Sequence, residues 1–372
     1  MKSFFDNLVL SALEDKIHDF HLKIGQPPIR RVLGKIKRTS DRPLTNKELD
    51  GIASAVLSPL DLDRLQRIGS VDLMYSIPHG VGGGPLAPGW RTSNGPIPDK
   101  CRVRMNVFFQ RGTLAYSVRI ISADYPDFRK LGLPPEVQQM VLGVKNGLIL
   151  LTGSTNSGKS TTLQALITEI CNSRSVNVIT IEDPIEFIYP SFPHSVVNQR
   201  EVGRDTRNVA DGINAALRQS PDILVVGEFR TPEEILAGLQ AAETGHLVIS
   251  TLHTRNAVQT ISRLVSIFPP HQIDLVRHML ANSLRLVLSQ ALFPSSTKKW
   301  MTLAFEVLPV QVAVPNLIRA NRIHEIPNVL NTGTKFGCIS MQSSIERLVK
   351  ANKINLADIP PEYQFSTPRP EA

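Results

Sequence analysis

Short apolar runs alternating with amphipathic stretches dominate the second half of the chain. "GLILLT" (147–152), "VNVITIE" (176–182), "DILVVGE" (222–228) and "HLVISTLH" (246–253) have the length and continuity of strands buried on both faces. Helical periodicity fills the intervals at 159–171, 206–219 and 232–243. Such alternation predicts a parallel sheet covered by helices on both sides. The last hundred residues, with "HQIDLVRHMLANSLRLVLSQAL" and "MQSSIERLVKANKI", read as mostly helical. The first half follows another pattern, that of a small mixed domain with a helical start and extended pieces around "RRVLGKIKR" and "VDLMYSI". It ends in "RVRMNVFFQRGTLAYSVRIIS", whose period-two alternation around Arg111-Gly112-Thr113 predicts a hairpin. Residues 78–100 are rich in Gly and Pro and read as a loop without helix or ladder. Pro126, Gly132, Pro134 and Pro135 mark a linker, which gives an N-terminal domain over 1–126, a linker over 127–136 and a second domain over 137–372.

With 372 residues, 42% of them hydrophobic, the chain can fill two cores. No run approaches the roughly 18 apolar residues of a membrane-spanning helix, and the first twenty residues are unlike a secretory signal. The expectation is a cytoplasmic protein with no integral membrane segment. Cys101, Cys171 and Cys338 lie too far apart in sequence for a CxxC metal knuckle. A net charge of +8 permits an acidic partner such as nucleic acid, but the basic residues are scattered and no aromatic-basic stripe supports stacking on bases.

Chemistry is most legible at the end of the first apolar run. Gly153, Ser154, Thr155, Asn156, Ser157, Gly158, Lys159 and Ser160 fit G-x-x-x-x-G-K-[ST], and Thr161 continues into a helix-forming run. The glycines let successive backbone N–H groups turn inward around phosphate oxygens, and the helix N-terminus adds its positive dipole end. Lys159 is placed to reach the β- and γ-phosphates, and the Ser160 hydroxyl to ligate Mg²⁺. The motif predicts a site for ATP with Mg²⁺.

Residues at the ends of the neighbouring strands indicate what the nucleotide is for. Glu182 ends the second run and Asp183 and Glu186 follow it, at the edge where open parallel sheets bind ligands, and one of them is placed to orient or deprotonate water. Glu228 ends the third run in a Walker-B-like arrangement suited to Mg²⁺ or its waters. His246 and His253 are seven residues apart in the fourth; odd spacing assigns them opposite faces, so one approaches the nucleotide and the other a different contact.

Together the P-loop, "EDPIEF", "VGEFR" and "TGHLVISTLHT" resemble, in order and spacing, the motifs of the secretion-superfamily, PilT-like ATPases. "DFHLKIGQPPIRRVLGKIKR", "VNQREVGRDT" and "NLIR" extend the resemblance over roughly residues 15–350. It implies an α/β chain with a PAS-like α+β N-terminal domain and a RecA-like ATPase domain with a helical C-terminal part, assembled as a homo-hexamer. It also implies that Glu186 is the catalytic base, that Glu228 is linked to Mg²⁺, and that His246 and His253 sense the nucleotide. Arg104 and Arg119, with Arg111 as a further candidate, match basic positions that approach the phosphates as arginine fingers. The implied function is a motor serving an inner-membrane secretion or pilus machine. Dispersed cysteines exclude the branch with a four-cysteine zinc module. "VPNLIRAN" departs from the retraction signature "AIRNLIRE", and residues 78–100 lengthen the N-terminal domain. Both features favour type IVB secretion or conjugation (DotB-like or TraJ-like), with PilT-like pilus retraction as the alternative. A switch GTPase is disfavoured because no guanine-reading NKxD motif follows the P-loop. A nucleic-acid translocase or a non-hydrolytic ring are the remaining classes.

Overall fold

The computed structural model describes residues 2–14, 19–32, 35–38, 42–78, 91–92, 95–96, 100–121, 127–298 and 300–363. The chain divides into two compact units, Met1–Asp124 with Pro184–Phe187, and Tyr125–Asp183 with Ile188–Ala372.

In the first unit, α1 (Lys2–Glu14) precedes β1 (Asp19–Lys23), β2 (Ile29–Val32) and β3 (Lys35–Arg38), then α2 (Asn46–Val56), α3 (Pro59–Ile68) and β4 (Ser70–Pro78). After β5 (Arg91–Thr92) and β6 (Gly95–Pro96) come the long strands β7 (Lys100–Gln110) and β8 (Thr113–Ile121). Six of these strands form a sheet in the order β3-β2-β1-β8-β7-β4, antiparallel throughout. Alternation decides which side is buried: Val103, Met105 and Val107 of β7 and Tyr116, Val118 and Ile120 of β8 join Phe5, Val9, Leu49, Ile52 and Leu65 from the helices in one core. Arg102, Arg104 and Arg119 therefore occupy the other face. The two-residue turn Arg111-Gly112, with φ of 51° and 73°, closes the hairpin in left-handed backbone that suits the twist of the strands. Gly112→Ala is expected to cost about 1 kcal/mol through strain at that positive φ, a loss read in a urea titration.

Part of the loop expected at 78–100 does form a ladder: Arg91 pairs with Pro96 and Thr92 with Gly95. Two short Gly- and Pro-flanked segments suffice because a pair this small needs no alternating pattern. Its end residues Pro78 and Lys100 pair as the ends of β4 and β7, while 79–90, 93–94, 97–99 and Pro126 lie outside the described residues.

The second unit begins with α4 (Pro135–Gly143), β9 (Gly147–Thr152), α5 (Lys159–Ser173), β10 (Asn177–Glu182) and β11 (Val196–Glu201). It continues with α6 (Val209–Ala216), β12 (Ile223–Val226), α7 (Pro232–Glu243), β13 (Leu247–Leu252), α8 (Ala257–Ser266) and α9 (Ile273–Ser283). It closes with β14 (Leu284–Pro294), β15 (Met301–Pro309), α10 (Ala313–Arg319), α11 (Ile326–Thr332) and α12 (Met341–Lys350). Its seven strands are ordered β11-β10-β12-β13-β9-β14-β15. All neighbours are parallel except the antiparallel pair β14–β15. Leu148, Leu150, Ile179, Ile181, Leu224 and Val226 face a core shared with α6 to α11. Ile149, Leu151, Val178, Ile223, Val225 and Ile249 face a second core with α4 and α5. Burial on both faces explains why the strands read as unbroken apolar runs.

Two expectations need correction here. Residues 284–294 and 301–309 are strands, not part of a helical tail, and they complete the sheet beside β9. Residues 127–136 are not a bare linker: Phe128 and Leu133 are buried in the core that carries α4 and α5, and α4 starts at Pro135.

Candidate nucleotide site

Gly153 follows β9 directly and has φ of 146°. A Cβ there would stand 2.4 Å from the Gln290 carbonyl oxygen and 2.4 Å from Ser157 Oγ, so glycine is required by space as well as by conformation. Gly158, φ 87°, turns the chain into α5, whose first N–H groups receive no side-chain cap. Four uncapped amides at the start of a fifteen-residue helix suit an anion. Ser157 Oγ is buried and, among the described residues, has no hydrogen-bond partner. The glycine cradle, the free amides and this hydroxyl fit a phosphate chain.

Lys159 is 7% exposed. Its Nζ donates to the carbonyls of Gly153 at 2.8 Å and Ser154 at 2.9 Å, and lies 3.5 Å from His253 Nδ1. Burial pushes the ammonium below its ordinary pKa, and the attraction of Glu228 opposes that shift. His253 Nε2 is 3.0 Å from Glu228 Oε2. The other oxygen of Glu228 accepts from Arg230, whose Nη1 reaches Asp183 Oδ2 at 3.3 Å. Burial lowers the Arg230 pKa, but Glu228, Asp183 and Glu234 together leave it raised. Lys159, His253, Glu228, Arg230 and Asp183 thus form one chain of contacts at the C-terminal ends of β9, β13, β12 and β10. Ser160 is the second residue of α5, after Lys159, and both it and Thr161 are exposed in the first turn.

The remaining predicted residues have other partners. Glu182 is turned aside, accepting from Thr180 Oγ1 at 2.6 Å and from Gln199 Nε2 at 3.0 Å. Residues 184–187 group with the first unit, where Glu186 Oε1 accepts from Arg104 Nη1 at 2.8 Å and its carbonyl accepts from Arg102 at 3.0 Å. Arg104 and Arg119 are direct cross-strand partners, an arrangement of like charges made tolerable by Glu186 on the one and Asp19, 2.7 Å from Arg119 Nε, on the other. Arg111 stands apart in the hairpin turn. Arg102 was missed by sequence reasoning, although its i, i+2 relation to Arg104 signals the shared face.

His246 is not brought to the P-loop of its own unit. Leu247 pairs with Gly147 and Leu252 with Thr152, so His246 precedes the strand at the far end, about 20 Å from Gly153. Its Nδ1 lies 3.0 Å from the Ala241 carbonyl and 3.1 Å from Thr244 Oγ1, at the end of α7. Seven residues span the whole strand rather than its two faces.

A parallel sheet whose first strand opens through a phosphate-cradling loop into a helix, with an acid at the end of an inner strand, defines a P-loop nucleotide hydrolase. Residues 97–349 match the family described as Type II/IV secretion system protein, and the chain belongs to that family. It is 42% identical over 349 residues to protein YggR of Escherichia coli (strain K12), covering 94% of this chain and 99% of that one. It is 35% identical over 337 residues to the type IV pilus retractation ATPase PilT of Pseudomonas aeruginosa, covering 91% of each. Among solved structures, the pilus retraction motor PilT with bound ADP matches at a TM-score of 0.81 and 37% identity, covering 98% of this chain and 97% of that one. The Legionella pneumophila ATPase DotB matches at 0.75 and 26%, covering 95% and 94%. The chain is a P-loop ATPase of the secretion and pilus motor class. Among the described residues, no helix is long and apolar enough to cross a membrane.

Proposed function

We propose that this ATPase drives retraction of a type IV pilus or a pilus-like fibre, working as a homo-hexameric ring docked from the cytoplasm on an inner-membrane machine. The likeness to the ADP-bound retraction motor PilT, in both identity and TM-score, carries this reading over the type IVB secretion reading that the sequence motifs favoured. The departure at "VPNLIRAN" weighs less than it did in the sequence. Residues 313–319 form α10, burying Val314 and Ile318 and bonding Arg319 to Asn282 Oδ1 at 2.8 Å, so the NLIR core sits on a packed helix. In the same reading the antiparallel N-terminal unit is PAS-like.

Lys159 leaves its two loop carbonyls for the β- and γ-phosphates, and His253 keeps contact with Glu228 so that arrival of the γ-phosphate is felt on both strands. Ser160 and Glu228 would hold Mg²⁺, which takes few protein oxygens alongside substrate phosphates and would supply neutralisation of developing charge. Glu186 is assigned as the base that takes the proton of the attacking water, and Arg104 and Arg119 as donors to the transferring phosphoryl group. Their ion pairs with Glu186 and Asp19 are a resting arrangement that must open for either to act. His246 acts at a distance, by fixing the end of α7 where β13 begins.

Phosphate release and nucleotide titration test the assignment. Glu186→Gln is expected to bind ATP within about threefold of wild type while losing about 10²-fold in kcat, and equal rates would remove Glu186 as the base. Cargo is tested by complementation: restoring pilus retraction in cells that lack their retraction ATPase supports the reading, and restoring only type IVB secretion overturns it.

A further inference from the structure

One buried polar row crosses the sheet beneath the P-loop. Thr152 of β9 pairs in register with Ser289 of β14, and Ser289 pairs with Glu306 of β15. All three are buried, at 0%, 0% and 6% exposure. Thr152 Oγ1 donates to Ser289 Oγ at 2.9 Å, and Ser289 in turn bonds the Glu306 carboxylate. That carboxylate also accepts from the Ala257 amide at 2.8 Å and from the Met341 amide, the first residues of α8 and α12. Burial pushes the Glu306 carboxyl up, and the two amides and the hydroxyl oppose it.

A row of buried polar groups contributes little net stability over an apolar one of the same shape. What it supplies is direction, because each hydrogen bond is satisfied in one arrangement only. Both ends of this row lead to Lys159. Thr152 is bonded covalently to Gly153, whose carbonyl holds the Lys159 ammonium. Ala257 opens α8 four residues after His253, which stands between Lys159 and Glu228. Next in β14, Gln290 donates through Nε2 to Thr162 Oγ1 of α5 at 2.8 Å and presents its carbonyl where a Cβ at Gly153 would fall.

We propose that Ser289 and Glu306, acting through Thr152 and the start of α8, are positioning residues for ATP hydrolysis: they fix the P-loop and the His253 segment relative to each other so that Lys159 meets the transferring phosphate in one geometry. Neither touches nucleotide. Their effect belongs to the transition state, so its loss appears in kcat rather than KM.

The test uses the full chain with ATP as substrate. Thr152→Val keeps shape and removes the hydroxyl, Thr152→Ser keeps the hydroxyl and removes a methyl, and Ser289→Ala breaks the row while leaving Glu306 its two amide donors. Thr152→Val and Ser289→Ala are expected to lower kcat about five- to tenfold with KM within about twofold of wild type, and Thr152→Ser to stay within about twofold in both. Circular dichroism and thermal melting establish that each variant is folded, and Ser289→Ala keeps the test readable if Thr152→Val does not fold. Wild-type kcat in folded Ser289→Ala, or a Thr152→Ser loss equal to that of Thr152→Val, would overturn the proposal and leave the row a packing feature.

Discussion

Lys159→Ala is expected to lower ATP turnover at least about 10³-fold while leaving the chain folded. The ammonium is the one cation held inside the phosphate loop, by the Gly153 and Ser154 carbonyls. Its removal deprives the phosphoryl group of a charge that strengthens as the transition state develops, which is a kcat effect. The fold survives because Ser154 lies in an exposed turn and only the buried Gly153 carbonyl loses its partner, a cost of about 1–2 kcal/mol, so the melting temperature should move by no more than a few degrees. Affinity falls less than rate, about tenfold, because the amides at the start of α5 still grip the phosphates. Lys159→Arg is not expected to rescue: a planar guanidinium cannot occupy a pocket shaped for a compact ammonium with two carbonyl partners. Phosphate release and a nucleotide titration on the same preparations separate the two effects. Turnover above a tenth of wild type in Lys159→Ala would mean that the loop amides suffice for catalysis.

How much of this was legible in the sequence depended on how many faces of each element are buried. The parallel strands β9, β12 and β13 are entirely buried, so each appears as an apolar run too short for a helix and bounded by turn residues. The hairpin β7–β8 was legible for the opposite reason, a clean alternation between core and outward arginines. β14 defeats both signals. "LRLVLSQALFP" is buried almost throughout, and its apolar positions at 284, 286, 287, 288 and 291 fit a helical stripe as well as a strand. It also follows α9 without a break at Ser283/Leu284, with no Gly or Pro to mark the change. Read as helix, Ser289 and Gln290 are unremarkable polar residues, and their partnership with Thr152, Glu306 and Thr162 exists only once the strand lies beside β9.

The P-loop string was readable because its chemistry is local: eight consecutive residues make the cradle. The contacts among Lys159, His253, Glu228, Arg230 and Asp183 were readable only in part, since they follow four different strands, Glu228 and Arg230 sharing β12, and only the parallel registers bring those ends to one edge. His246 shows the limit of spacing arguments. An odd interval separates faces only if both residues lie inside the strand, and β13 is six residues long. The arginines of β7 and β8 show the reverse, because the hairpin register makes Arg104 and Arg119 neighbours whatever their role.

Gly153→Ala is expected to be more damaging than Gly158→Ala, although both are glycines specified by the same motif. At Gly153 the backbone sits at φ 146° and a Cβ would lie 2.4 Å from a main-chain oxygen of β14. That oxygen belongs to β14, which is held by β15 at Gln290 and by β9 up to the preceding Ser289, so relief must come from displacement of the loop itself. A shift of this kind separates the carbonyls that hold Lys159 and disturbs the amides that face the phosphates. The expected result is a loss of more than about 10²-fold in ATP affinity and about 3 kcal/mol in unfolding free energy. At Gly158 the nearest atom to an added Cβ is Leu292 Cδ1 at 3.5 Å, an ordinary contact, and the cost is that of a left-handed residue with φ 87°. That variant should lose about 1–2 kcal/mol and keep measurable nucleotide binding. Urea unfolding with and without nucleotide reads both quantities, because ligand-linked stabilisation reports affinity in the same titration. Equal losses in the two variants would show that backbone conformation alone governs the loop, and that the close approach of Gly153 to β14 has no energetic consequence.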